Sequence, residues 1–402
     1  LTVLKILNQL IEKTLMSLVR KTLKEAMRYA EIVIKANLTP YVAGSPGLGK
    51  SAGFAKICKR YNLKMIDIRL AQEDPTTING FPNVEGGRSR YLPPELFPLA
   101  GKDELPLKEE FANMAGHYKD LINTVRENPE AEGSKKMLAD FQKQYCYSGW
   151  LVFFDELPSA PRSVQAAAYK IILDKMIGQD KLHPKCRLAA AGNLMDDNAI
   201  VNEMGTALRS RMVHIHVQTD PQDYINYATR AGYDTRIITY LAYQKQKVNN
   251  FKQFNTNSSD ETFCCERTWE FVNQILAASC PNQSQPVPDD LTDLLCGTVG
   301  STAIEFVQYT HAFKDLPTFE QIINDPKSTS IPDKPAVRYL LMGMLVGSVT
   351  MDNVDAVMDY VGRFSKEYGL VFVKMLWAKS DKYLDNPKVE ALWCEVADLM
   401  MG

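Results

Sequence analysis

Apolar positions along this chain change period several times, and each change marks an element. Residues 1–37, LTVLKILNQLIEKTLMSLVRKTLKEAMRYAEIVIKAN, carry apolar side chains at helical spacing, interrupted by Lys5, Glu12, Lys13, Arg20 and Lys21. That pattern predicts one or two amphipathic helices leading into a first strand. No apolar run there is long enough for a membrane span or a signal-peptide core. Tyr41-Val42-Ala43 reads as a short buried strand, and SAGFAKICKRY places Phe54, Ile57, Cys58 and Tyr61 at i, i+3, i+4 and i+7 of a helix. In KMIDIRL, residues 64–70, Ile66, Ile68 and Leu70 alternate onto one face of a second strand. Trp150-Leu151-Val152-Phe153-Phe154 is a continuous apolar run, the signature of a strand buried on both faces of a parallel sheet. CRLAAAGN, after the turn His183-Pro184-Lys185, reads as another short apolar strand.

Between these strands the pattern breaks. Glycines and prolines in residues 71–100 exclude a long helix, and Glu85-Gly86-Gly87 between Phe81 and Tyr91 looks like a hairpin turn. A packed surface loop is the favoured reading there, ahead of a projecting substrate contact. Residues from about 100 to 148 are rich in Lys, Glu, Asp and Asn and read as an inserted set of polar helices with a break near Pro129 and Gly133. LPSAPRSVQAAAYKIILD starts a helix at Ser159 or Pro161. MGTALRSRMVHIHV ends a helix with Arg209 and Arg211 before a strand on which His214 and His216 share a face; with no third ligand in sight, a metal is not assigned to them. Beyond residue 220 the chain reads as helices, with a linker at 281–288, a connector at 325–335, and a Leu-Met-Val face at 339–349 that suits a core. The expected fold is α/β, a parallel sheet between helices, followed by an all-α region. Its expected divisions are a helical segment 1–36, an α/β domain 37–219, helices 220–320 and a C-terminal helical extension 321–402.

Composition adds little pull toward any special class. The chain has 402 residues, 45% hydrophobic and 23% charged, with a formal net charge of −2. Such a balance offers no global attraction for nucleic acid or an anionic membrane. Eight cysteines include no C-x-x-C pair and sit mostly in apolar patterns. Reduced thiols and a cytoplasmic location follow as expectations. The sequence opens on Leu1, so Met16 is a candidate natural start.

Candidate chemistry begins at Gly44-Ser45-Pro46-Gly47-Leu48-Gly49-Lys50-Ser51, which fills the pattern G-x-x-x-x-G-K-[ST] of a P-loop, or Walker A motif. Gly44, Gly47 and Gly49 are expected to take backbone angles closed to other residues and to leave the loop amides facing a phosphate. Lys50 would reach the β- and γ-phosphates of ATP, and the Ser51 hydroxyl would ligate Mg²⁺. Asp155-Glu156 closes the apolar strand as a Walker B pair: Asp155 for the metal, Glu156 to orient and deprotonate the attacking water. Asn193 sits at the end of its strand, where an amide can hold that water or the γ-phosphate. Either Arg209 or Arg211 would serve as an arginine finger reaching a neighbouring subunit.

Taken in order, these motifs resemble the AAA+ ATPases, and more closely their MoxR branch. FFDELPSAPRSVQAAAYKIILD is similar to the branch's Walker B strand and helix, and AAGNLMDDNAIVNEMGTALRSRMVHI to its sensor-1 asparagine, short acidic loop and finger stretch. The resemblance makes Asn193 sensor 1 and Arg211 the finger, with Arg209 as the alternative. FCCERTWEFVNQIL is similar to the lid segment that supplies sensor 2, here Arg267, although Glu266 stands where proline is usual. The resemblance covers roughly residues 38–276, and the segment 100–147 departs from compact family members. It implies an AAA+ domain with a helical lid, a commonly hexameric homo-oligomer with shared sites, ATP and Mg²⁺, and a protein client, often beside a von Willebrand factor A domain protein. The alternatives are a nucleic-acid motor or loader, for which Arg88 and Arg90 are the hint, and a nucleotide-gated scaffold with little turnover.

Overall fold

The computed structural model describes residues 20–85, 87–194, 204–254 and 260–396, which fall into two units, one ending at Gln218 and the other starting at Thr219. Met16, most of the 1–36 segment, the acidic loop at 196–197 and Gly86 of the expected turn lie outside the described residues. The first unit opens with β1 (Arg20–Lys21), α1 (Leu23–Lys35), β2 (Thr39–Ala43), α2 (Lys50–Arg60), β3 (Leu63–Arg69) and the short α3 (Pro75–Asn79). The hairpin β4 (Phe81–Glu85) and β5 (Arg88–Leu92) follows, then α4 (Ala115–Glu127) and α5 (Glu132–Tyr145). It closes with β6 (Gly149–Asp155), α6 (Arg162–Asp174), β7 (Met176–Ile177), β8 (Asp180–Lys181), β9 (Cys186–Gly192), α7 (Thr206–Arg209) and β10 (Met212–Val217).

Six of these strands form one parallel sheet in the order β1-β10-β2-β9-β6-β3. Alternate side chains serve opposite faces. Val42, Leu151, Phe153, Ala189 and Ile215 pack with Ala26, Ala30 and Ile34 of α1 and with Phe54 and Ile57 of α2. Tyr41, Val152, Phe154, Leu188 and Ala190 pack with Val164, Ala168 and Ile171 of α6. Full burial of both Phe153 and Phe154 explains why the run showed no polar alternation. Each such side chain contributes about 1.5–3 kcal/mol relative to exposure. β3, at the sheet edge, alternates instead, with Ile66 and Ile68 buried and Asp67 and Arg69 exposed. Helix α1 starts with a Thr22/Glu25 capping box and lies against α2, where a Cβ on Gly53 would fall 2.5 Å from the Met27 sulfur.

The expected hairpin is present, with Glu85 paired to Arg88 and Phe81 to Leu92. Tyr91 comes close to the turn at Gly178, where a Cβ would meet the Tyr91 Cβ at 3.1 Å, but Phe81, Val84, Tyr91 and Leu92 are all exposed. The hairpin therefore projects more than a packed loop would. The polar insertion is a helix pair joined by the stacked rings of Tyr118 and Phe141, 5.1 Å apart. Its break falls at 128–131; Gly133 lies inside the first turn of α5, where unpaired amides make glycine inexpensive. Pro161 caps α6 rather than entering it.

The second unit is helical: α8 (Pro221–Arg230), α9 (Thr235–Tyr243), α10 (Glu266–Ser279), α11 (Thr292–Val299), α12 (Thr302–Thr310), α13 (Phe319–Asn324), α14 (Pro335–Ser348), α15 (Val354–Val361), α16 (Lys366–Lys379) and α17 (Pro387–Val396). Its single apolar cluster runs from Tyr224 to Val389 around α14, which buries Tyr339 through Val346 without a break. That agrees with the core reading of 339–349. Among the described residues, no helix is long and apolar enough to cross a membrane. Five cysteines, 58, 146, 186, 264 and 265, are buried and no disulfide forms among the described residues.

One buried charge organises the linker at 281–288. Arg236 pairs with Asp234 at 2.6 Å and donates to the carbonyls of Cys280 at 2.7 Å and Gln285 at 3.0 Å. Burial works against its charge, but Asp234 more than compensates and the guanidinium is held more firmly protonated than usual. Removing one partner of a buried pair strands the other. Arg236→Met should lower the unfolding free energy by about 3–5 kcal/mol, read as a lower urea midpoint by tryptophan fluorescence, since Trp269, Trp377 and Trp393 all lie in this unit. An unchanged midpoint would show that the linker is held by other contacts.

Candidate functional site

The sheet order sends the chain from β2 to the far edge at β3, back through β6 and β9, and then across β2 to β10. In open α/β sheets ligands bind where such connections diverge, beyond the C-terminal ends of the strands. Three of those ends carry the residues singled out in the sequence: Gly44 after β2, Asp155 closing β6, and Asn193 after β9.

The loop from Gly44 to Ser51 joins β2 to α2. Gly47 and Gly49 take φ of 81° and 76°, values that favour glycine. Gly44 does not, which corrects the expectation for it. Crowding is its reason: a Cβ there would lie 2.9 Å from Leu48 Cδ1 and 3.0 Å from the Val217 carbonyl oxygen. Leu48 is buried against α1 and β10, and Pro46 sits between Ser45 and Gly47 in the turn. Gly49 caps α2, so the first amides of that helix open toward the loop and make an anion seat.

Lys50 begins α2 and is buried. Its ammonium donates to the Gly44 carbonyl at 2.7 Å, the Ser45 carbonyl at 2.9 Å and Asn193 Oδ1 at 3.4 Å. The Ser51 hydroxyl donates to Asp155 Oδ2 at 2.7 Å. Thus Lys50, Ser51, Asp155 and Asn193 meet although more than a hundred residues separate the first pair from the second. A hydroxyl and a carboxylate side by side are hard oxygen donors of the kind Mg²⁺ takes, with room for water and phosphate as further ligands.

Glu156 follows in the left-handed region at φ 57°, its amide donating to Asp155 Oδ1 at 2.9 Å. Such a conformation costs a non-glycine residue roughly 1–2 kcal/mol. It turns the chain from β6 into the short Leu157-Pro158-Ser159 helical turn.

Three residues that sequence reasoning passed over shape this place. Gly192 leaves no room for a side chain, since a Cβ would fall 2.3 Å from Pro158 Cδ and 2.7 Å from the Tyr41 hydroxyl. That packing brings the end of β9 onto the turn after Glu156. Burial pushes the Tyr41 phenol up, partly offset by the charge of Arg209, so the ring stays neutral. Asp67 on β3, though it reaches solvent, has its carboxyl raised from the ordinary value by partial desolvation and by Asp155, with Arg69 opposing. No spacing rule could have found them, because each matters through strand neighbours.

The candidate fingers stand on either side of a helix end. α7 stops at Arg209, Ser210 caps it, and Arg211 precedes β10, so the rule that residues two apart on a helix diverge does not apply. Both are exposed. Arg211 donates to the Ala207 carbonyl at 3.1 Å and Ser210 Oγ at 2.7 Å and lies 5.7 Å over the Tyr169 ring. Arg209 has no side-chain hydrogen bond or ion pair among the described residues, while its carbonyl meets His214 Nε2 at 2.7 Å. Arg267 belongs to the second unit, exposed at the second position of α10. Glu266 occupies the first position, where proline is tolerated because the amide needs no helical partner, so the substitution leaves the helix start intact.

No protein-family model matches the chain, and no curated protein matches it significantly. Among solved structures it is similar to a candidate ATPase from Cytophaga hutchinsonii, at 15% identity and a TM-score of 0.33, over 53% of this chain. The match spans 52%, about half, of that protein's length. Two structures of NtrX from Brucella abortus, the second in complex with ADP, match at 13% and 11% identity with TM-scores of 0.31 and 0.32. They cover 94% of this chain and 67% and 68% of theirs. Likenesses this low leave the site to be argued from its own geometry.

Proposed function

We propose that the chain is an oligomeric ATPase of the AAA+ type, MoxR-like, that hydrolyses ATP with Mg²⁺ and uses the cycle to remodel a protein client. The observation that carries this reading is the meeting of Lys50, Ser51, Asp155 and Asn193 at the strand ends, with Ser51 and Asp155 2.7 Å apart. The loop amides and the start of α2 would bind the phosphates, and Lys50 would exchange two backbone carbonyls for phosphate oxygens. Ser51 and Asp155 would hold Mg²⁺, which when bound neutralises phosphate charge and acts as a Lewis acid. Glu156 takes the proton of the attacking water, and Asn193 orients that water through its amide. Arg211 or Arg209 completes a neighbour's site, and Arg267 reports nucleotide to the helical unit. Ring size, a hexamer by resemblance, and a von Willebrand factor A domain partner rest on the resemblance alone.

Lys50→Ala should abolish ATP binding, measured by fluorescent-nucleotide titration. Glu156→Gln should keep binding while turnover drops by about 10²–10⁴-fold, the usual worth of a general base; undiminished hydrolysis in that variant sinks the base assignment. Chelating the divalent metal should stop turnover and restore it on adding Mg²⁺. For the finger, Glu156→Gln subunits mixed with Arg211→Ala or with Arg209→Ala subunits should regain activity only for the arginine that crosses the interface. If neither mixture recovers while oligomers still form, the site is not shared.

A further inference from the structure

The second unit holds a cleft that the nucleotide chemistry does not use. It opens among α8, α9, α14 and α16 and is lined by Lys245, just past α9, by Lys374 of α16, and by Gln222 and Asn226 of α8. Its cavity volume is about 50 Å³, and mostly apolar side chains complete the walls. One carboxylate lines it, that of Glu367, and it accepts the Tyr339 hydroxyl.

Lys245, Lys374 and Arg230, the last residue of α8, form no side-chain hydrogen bond or ion pair among the described residues. Burial, and then the charges of Lys245 and Arg230, hold the Lys374 ammonium below its usual range. The one carboxylate in the lining, Glu367, is engaged by the Tyr339 hydroxyl, so a half-buried ammonium near two further cations and ion-paired to none gains from an added anion. The Gln222 amide already donates to Asn226 Oδ1 at 3.3 Å, which leaves the Asn226 amide hydrogens as neutral donors beside the lysines. A cavity of about 50 Å³ suits a small oxyanion rather than a polymer backbone.

We propose that this cleft is a binding site for a small, free phosphate-class dianion, held by Lys245, Lys374 and the Asn226 amide. Lysines suit it as mobile point charges with three donors each. The site lies wholly within the helical unit and does not depend on the ATPase reading.

The test is equilibrium dialysis of radiolabelled inorganic phosphate against the full chain carrying Lys50→Ala, which removes phosphate uptake by the glycine loop. Saturable binding of one phosphate per chain is expected, weakened about tenfold or more by Lys374→Met, the loss of one charge-assisted hydrogen bond. If Lys374→Met fails to fold, the exposed Lys245→Met gives the same reading. Absence of saturable uptake, or uptake that both substitutions leave unchanged, overturns the proposal. So does self-association of the chain that Lys374→Glu abolishes without any phosphate uptake, which would give the cleft to an acidic segment of another copy.

Discussion

A parallel sheet covered on both faces can place polar chemistry only at its strand ends, and the first unit follows from that constraint. Phe153 and Phe154 fill opposite faces of β6, so the first residue of that strand free to be a carboxylate is Asp155 at its end. Ala189, Ala190 and Ala191 keep β9 thin, and the first polar side chain after it is Asn193. Hydrogen-bond register then fixes the lateral spacing of these ends, because neighbouring strands run about 4.8 Å apart. The glycine loop needs only to leave β2 at the same level to complete the group.

Within that group the charges are already balanced by protein atoms. Lys50 is turned onto the carbonyls of its own loop, and Ser51 onto Asp155. Such contacts keep buried polar groups satisfied. They also mean that a phosphate and a metal would replace existing partners rather than fill unpaired positions, so affinity reflects a difference between two satisfied states. Rigid seats surround the exchange: Gly44 and Gly192 are held by contacts that leave no space for a Cβ. Glu156 sits in a left-handed conformation between β6 and the Leu157–Ser159 turn.

The helical unit solves a different problem. Its central helix α14 is apolar on every side and is buried accordingly, with Gly343 allowing Thr239 of α9 to approach a would-be Cβ at 3.0 Å. Polar order there comes from single buried groups such as Arg236, which ties the 281–288 segment to the start of α9. Lys374, half-buried near Lys245 and Arg230, has no such tie among the described residues.

Much of this was legible in the sequence because it is local. Period-two and continuous apolar runs gave away β3 and β6, a helical spacing gave α2, and Glu85-Gly86-Gly87 marked the hairpin between paired strands. The glycine loop and the acid pair stand out by residue type and spacing alone. Other features depended on neighbours distant in the chain. Gly44 is a glycine because Val217 and Leu48 crowd it, not because of its φ; Gly192, Tyr41 and Asp67 matter through strand pairing; and the end of α7 between Arg209 and Arg211 was settled by the turn into β10. Lys245 and Lys374, 129 positions apart, line one cleft only because α9 and α16 pack on the same central helix. Sequence by itself singled out the candidate phosphate-binding residues and where most strands and helices run, since residue type, propensity and period are local properties. Tertiary structure alone decided which side chains meet, because register and packing bring together positions that no spacing relates.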